Sequence, residues 1–157
     1  MPKISPFLWF DTQAEEAAAF YVSIFPNSRI VTVARYGDAG PGPTGTAMTV
    51  QFELDGQEII ALNGGPQFTF TEAISLSINC KNQDEVDYYW ERLVDGGEES
   101  QCGWLTDRFG VSWQVTPTRL LELESDPDPA RATAATKAMH GMRKIVIAEL
   151  EDAVRDA

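Results

Sequence analysis

Apolar positions recur along the chain with two periods in alternation, and turn residues punctuate them into two similar halves. Ile4 to Phe10 is a short apolar run of strand formers. Asp11-Thr12 is a capping pair with Glu15 and Glu16 close behind it, where a helix's positive end favours carboxylates. Ala17, Phe20, Tyr21 and Ile24 then repeat at helical spacing from Ala14 to Phe25, and Pro26-Asn27 ends the run. Arg29 to Tyr36 is β-branched and reads as a strand, and Gly37 to Gly45 is a loop of glycines and prolines. Thr46 to Leu54 alternates cleanly, with Met48, Val50, Phe52 and Leu54 on one face and Thr49, Gln51 and Glu53 on the other. Asp55-Gly56 predicts a tight hairpin into a return strand over Gln57 to Leu62.

The order β-α-β-β-β then starts again. Ala73 to Asn79 predicts a strand, and Asn82 or Asp84 caps a helix from Gln83 to Val94 carrying Val86, Tyr89, Trp90 and Leu93. Gly96-Gly97 stops it, and Glu99 to Leu105 and Val111 to Pro117 predict further strands. This half is shorter by one strand, or its second strand is distorted around Glu98 to Gln101. The tail predicts two helices, Ala130 to His140 and Met142 to Val154, parted by Gly141. They form either an arm on the same domain or part of a dimer interface. The expected fold class is α+β: one domain over residues 1–157, with paired βαβββ modules at 1–70 and 71–120 and a helical tail at 121–157.

Composition narrows the function classes. The 157 residues are 43% hydrophobic and 23% charged, an ordinary globular mix. A net charge of −12 argues against nucleic acid, whose phosphates need clustered cations, and the basic residues Lys137, Arg143 and Lys144 sit among acids. No stretch approaches the roughly 20 apolar residues of a membrane span. Cys80 and Cys102 match no metal spacing, and two free thiols without a signal peptide place the protein in the cytoplasm.

The segments PFLWFDTQAEEAAAFYVSIFPNSRI, CGWLTDRFGVSWQVTP and MRKIVIAELEDA resemble the PhnB-like branch of the glyoxalase/bleomycin-resistance (vicinal oxygen chelate) superfamily. Members of that branch often carry the label 3-demethylubiquinone-9 3-methyltransferase. The resemblance implies sheets curled around a concave pocket, usually in a homodimer. It implies no settled reaction, and the label's methyl donor lacks its usual signal, because Gly37 to Gly45 is not followed by a helix. Metal-dependent members hold a divalent ion with His and Glu. Transferring those positions puts Pro6, Ile59, Ala73 and Gln114 where the ligands would be, so neither metal nor cofactor is expected. His140 lies in the tail and reads as a helix-end surface residue.

Strand parity in phase with those positions points Ala73, Ser75, Ser77, Asn79, Ser112, Gln114 and Thr116 into the pocket, together with Leu8, Phe10, Ala61 and Asn63. Trp104, Phe68 and Phe70 are placed at its mouth, while Trp9, Phe20, Phe25, Trp90 and Trp113 are assigned to the core. The expected ligand-binding set is thus Leu8, Phe10, Ser75, Ser77, Gln114 and Trp104, an apolar wall beside a polar patch suited to a small organic molecule. Glu53 is the candidate general base should the protein be an enzyme. Three functions compete: metal-independent small-molecule binding, an enzyme of unknown reaction in the same pocket, and an interaction module whose pocket has closed.

Overall fold

A computed structural model describes residues 2–157. The chain divides into two compact units between Phe70 and Thr71. The first contains β1 (Phe7–Phe10), α1 (Ala14–Ile24), β2 (Arg29–Arg35), β3 (Ala47–Leu54) and β4 (Gln57–Asn63). The second contains β5 (Leu76–Cys80), α2 (Gln83–Val94), β6 (Glu98–Glu99), β7 (Trp104–Thr106) and β8 (Ser112–Pro117), followed by α3 (Thr118–Glu124), α4 (Pro129–His140) and α5 (Ile147–Arg155).

Each unit holds a four-stranded sheet, ordered β1-β4-β3-β2 in one and β5-β8-β7-β6 in the other. In both, the first strand pairs in parallel with the last and the remaining pairs are antiparallel. The α+β fold of repeated βαβββ modules with a helical tail is therefore present.

In the first unit Ala14, Ala17, Ala18, Tyr21 and Ile24 bury one stripe of α1 against the sheet, and the Tyr21 ring stacks 6.2 Å from Phe52 of β3. The hairpin turn is tight: Asp55 (φ 48°) and Gly56 (φ 82°) both take left-handed conformations, as a two-residue turn requires. The capping expectation is corrected. Neither Asp11 nor Thr12 caps α1. The Ala14 N–H instead donates to Asn63 Oδ1 from the end of β4, 2.8 Å away, and Asn63 Nδ2 donates to the Ala47 carbonyl.

In the second unit α2 keeps the expected bounds and buries Val86, Tyr89, Trp90 and Leu93. Asn82 caps it by accepting the Glu85 N–H. The doubtful strand is β6, only two residues long, and its partner β7 has three. Further departures follow from local chemistry. The strands expected from Ile4 and Ala73 begin at Phe7 and Leu76, and Ile4 and Ile74 are exposed. Thr118–Glu124 is an unforeseen helix. The final helix starts at Ile147, because Met142 to Val146 is spent on other contacts. The tail helices bury Leu120, Leu123, Ala135, Ile145, Leu150 and Val154 together.

Candidate functional site

The sheet of the second unit covers α2 with one face and carries a polar row on the other. Register places Ser77 beside Gln114 and Gln114 beside Trp104. Neighbours opposite one another in a sheet point the same way, so these three side chains share the face away from α2. Ile78 and Cys80 alternate with Ser77 and Asn79 and are buried, while Ser77 and Asn79 are exposed. Gln114 Nε2 donates to Ser75 Oγ at 2.9 Å, which joins Ser75 to the row. The structure thus brings together Ser75, Ser77, Gln114 and Trp104, four of the six expected ligand contacts.

The other two, Leu8 and Phe10, are corrected. Leu8 stands in register with Ala61, and Ala61 with Val50, on the face that includes Phe52 under α1. Leu8 and Phe10 are 7% and 2% exposed and belong to the core, as does Ala61. The face away from α1 carries their neighbours instead: Phe7 beside Ile60, which pairs with Gln51, and Trp9 beside Leu62. Phe7 is 56% exposed. Trp9, expected in the core, lies there half-buried, with its indole N–H on the Gly65 carbonyl at 2.9 Å and Phe68 edge-on at 4.9 Å. Gly64 has to be glycine, because a Cβ there would lie 2.4 Å from the Trp9 ring.

Glu53 lies on that same face, opposite Glu58. Like charges so placed repel. Each carboxylate has a partner: Arg29 Nε donates to Glu53 Oε2 at 3.2 Å, and Ser5 Oγ donates to Glu58 Oε1 at 2.9 Å. Glu58 is the more enclosed, at 8% exposure, and sequence reasoning passed over it for Ile59, which is buried on the helix face. The signal was there in the chain. Counting back from the two-residue Asp55-Gly56 turn pairs Glu53 with Glu58 and fixes the phase of β4.

The first unit also contains a cleft of about 430 Å³ at the ends of β1 and β4, lined by Asp11, Thr12, Tyr36, Gly42, Thr46 and Gly64 among others. The loop beside it is pinned rather than loose. The Tyr36 N–H donates to Thr46 O, Gly45 N–H donates to Tyr36 O, and Tyr36 Oη donates to Asn63 O at 2.6 Å. Gly40 and Gly42 flank the Tyr36 ring so closely that a Cβ at either would collide with it.

A resident divalent ion does not fit the expected positions. The Pro6 and Ala73 side chains have no ligand atom, Ile59 is buried hydrocarbon, and Gln114 offers only a neutral amide oxygen. Among the described residues no three His, Cys, Asp or Glu side chains are placed to hold a metal. His140 is exposed at the end of α4. Cys80 is fully buried, and burial, with the Glu85 charge adding to it, pushes its thiol up to about 12, so it stays protonated and inert.

Two four-stranded sheets of matching order, each crossed by one helix and each closing its first strand on its last, define a paired-module protein of the vicinal oxygen chelate class. The chain belongs to the family described as 3-demethylubiquinone-9 3-methyltransferase, the PhnB-like branch, whose profile matches residues 2–116. A solved Bacillus cereus PhnB protein, itself described as a putative 3-demethylubiquinone-9 3-methyltransferase, is 39% identical. It matches with a TM-score of 0.69 over 74% of this chain and 99% of its own. Protein PA1353 from Pseudomonas aeruginosa is 22% identical with a TM-score of 0.63, over 74% and 98% of the two chains. The fosfomycin resistance protein FosX from Listeria monocytogenes, solved with Mn(II) and sulfate, is 18% identical with a TM-score of 0.51, over 72% and 89%, and shares the fold. No curated protein matches the chain. No helix among the described residues is long and apolar enough to cross a membrane.

Proposed function

We propose that this protein binds a small, neutral organic ligand on the face of the second sheet away from α2, without a resident metal. The observation that carries this reading is the row of Ser77, Gln114 and Trp104 with Ser75 bonded to it. An indole face stacks on a planar ligand, while an amide and two hydroxyls supply donors and acceptors that select its orientation. The row itself carries no charge, and the acidic Glu98 stands beside it on the same face next to Thr106, so a ligand without negative charge suits it best. Methyl transfer through a Rossmann-type donor site is not favoured, since the glycine-rich loop after β2 leads into β3 and not into a helix. We further propose that the chain acts as one domain and as a homodimer, in the cytoplasm.

One observation favours a second reading, that of an enzyme. Glu58 is a carboxylate almost out of water, on the face opposite α1 and held by Ser5, a placement suited to proton transfer.

Native mass spectrometry of protein purified without chelators or added metal tests the first reading. The expected spectrum shows a metal-free dimer carrying an organic mass that is lost from Gln114→Ala and Trp104→Ala. A stoichiometric divalent ion would overturn it. Retention that survives both substitutions but is lost in Glu58→Gln would move the site to the first unit.

A further inference from the structure

The family match ends at residue 116, so α3, α4 and α5 lie beyond the matched residues. What fastens them is the short non-helical segment between α4 and α5. On one side, the Met142 and Arg143 carbonyls accept the N–H groups of Cys102 and Gly103, each at 2.8 Å. Ile145 is fully buried beside Gly103. A Cβ on Gly103 would lie 3.0 Å from Ile145 Cγ1 and 2.9 Å from the Val115 carbonyl, so only glycine admits this approach. On the other side, Gln83 in the first turn of α2 uses both ends of its amide. Nε2 donates to the Ile145 carbonyl at 3.0 Å, and Oε1 accepts the Ile147 N–H at 2.8 Å, capping α5 where Val146 has no side chain able to do so. Lys144 pairs with Asp87 of α2 at 2.9 Å.

The anchored amides belong to the turn that delivers Trp104. Cys102 holds a left-handed conformation (φ 60°) that non-glycine residues seldom adopt, and it persists only where surroundings impose it. The strands on either side of that turn are too short to impose it. β6 and β7 pair at two positions, whereas the corresponding β2 and β3 pair at six and carry no strap.

We propose that Met142–Val146 is a strap that positions Trp104 beside Gln114, so that the C-terminal helices determine which ligands the polar row accepts. The proposal rests on reading that row as the ligand site. Gln83 is its principal positioning residue, acting through the strap and touching no ligand.

Gln83→Met in the whole chain removes both amide bonds to the strap, together with the one to Asp87, and keeps the side chain's length. Hydrogen exchange and the indole ¹H–¹⁵N resonances then read the result. The expected outcome is at least tenfold faster exchange at Cys102 and Gly103, with the Trp104 indole resonance displaced and those of Trp9 and Trp113 unmoved. Gln83→Glu combined with Asp87→Asn, which retains the acceptor for Ile147 and leaves no carboxylate to oppose it, is expected to restore part of the protection. Unchanged exchange at Cys102 and Gly103 would overturn the proposal. So would joint displacement of the Trp90, Trp104 and Trp113 resonances, which would mean a general loss of packing. Ligand retention is scored separately by mass, so a chain that retains no ligand sinks the binding reading while the exchange data still decide the strap.

Discussion

The two sheets have the same strand order but secure it by different means and present different faces. In the first unit order is stored in long ladders. β2, β3 and β4 are seven or eight residues each, and the turn between β3 and β4 needs only two residues. In the second unit the ladders are short and side chains take over. Buried Asp107 accepts the Phe109 and Val111 N–H groups and the Trp113 indole N–H, fixing the turn between β7 and β8, while Gln83 and the strap fix the turn before it. The faces differ accordingly. On the first sheet's helix-free face Phe7, Trp9, Ile60 and Leu62 form an apolar strip beside the charged group Arg29, Glu53 and Glu58, whereas Ser77, Asn79, Gln114 and Thr116 form a neutral polar strip on the second. One topology has thus been decorated in two ways: hydrocarbon edged by paired charges on one sheet, and a row of neutral donors and acceptors on the other.

The largest expected effect comes from reversing the face assignments across this comparison. Phe10→Ala removes a core ring that meets Phe70 edge-on at 5.1 Å, and should cost about 3–5 kcal/mol in chemical denaturation. Ser77→Ala, on the helix-free face of β5, should stay within about 0.5 kcal/mol, since its side chain is exposed. Equal costs would break the assignment of Leu8 and Phe10 to the core and return them to a ligand-facing role.

The same contrast explains what was legible in the chain. Ile74-Ser75-Leu76-Ser77-Ile78-Asn79 alternates, so the residues alone reveal its polar face. The α2 helix is equally plain from four apolar positions and an Asn cap. Phe7-Leu8-Trp9-Phe10 is apolar throughout and offers no alternation, so its phase is free to slip by one residue, and such a slip turns every side chain over. The expected apolar wall exists, one residue away from where it was placed. Glu58 was missed for the same reason, although the hairpin fixes its phase. The strap is illegible because it works through backbone carbonyls and one glutamine, which leave no hydrophobic period behind.

Helix capping gives a sharper, smaller test. α2 is capped from its own chain start by Asn82, whereas α1 is capped across the unit by Asn63, which also holds the Ala47 carbonyl. Asn82→Ala should cost about 1 kcal/mol, the usual value of a cap. Asn63→Ala should cost about 2 kcal/mol, because it also leaves a β3 carbonyl without its donor. Thermal unfolding of the two variants compares them directly, and a larger loss at Asn82 would mean that Asn63 does not join β4 to α1.

The smallest effect concerns pH and falls on the second unit alone. The Gln83 amide, then the Lys144 ammonium, hold the Asp87 carboxyl below its ordinary value. A carboxyl whose folded value is depressed contributes stability that is present above its unfolded value and is lost as pH falls through the folded one. With the ordinary value near pH 4, protection of the Cys102 and Gly103 amides, corrected for intrinsic exchange, should hold at neutral pH and decline only below about pH 4. Asp87 and Lys144 are both partly exposed, so solvent screening limits the change to no more than about fivefold. The ladder amides of β3, whose pairing involves neither group, should show no matching decline over the same range. Asp87→Asn should remove the pH dependence while leaving the Gln83 bonds to Ile145 and Ile147, which separates the charge on the strap from the amide that anchors it.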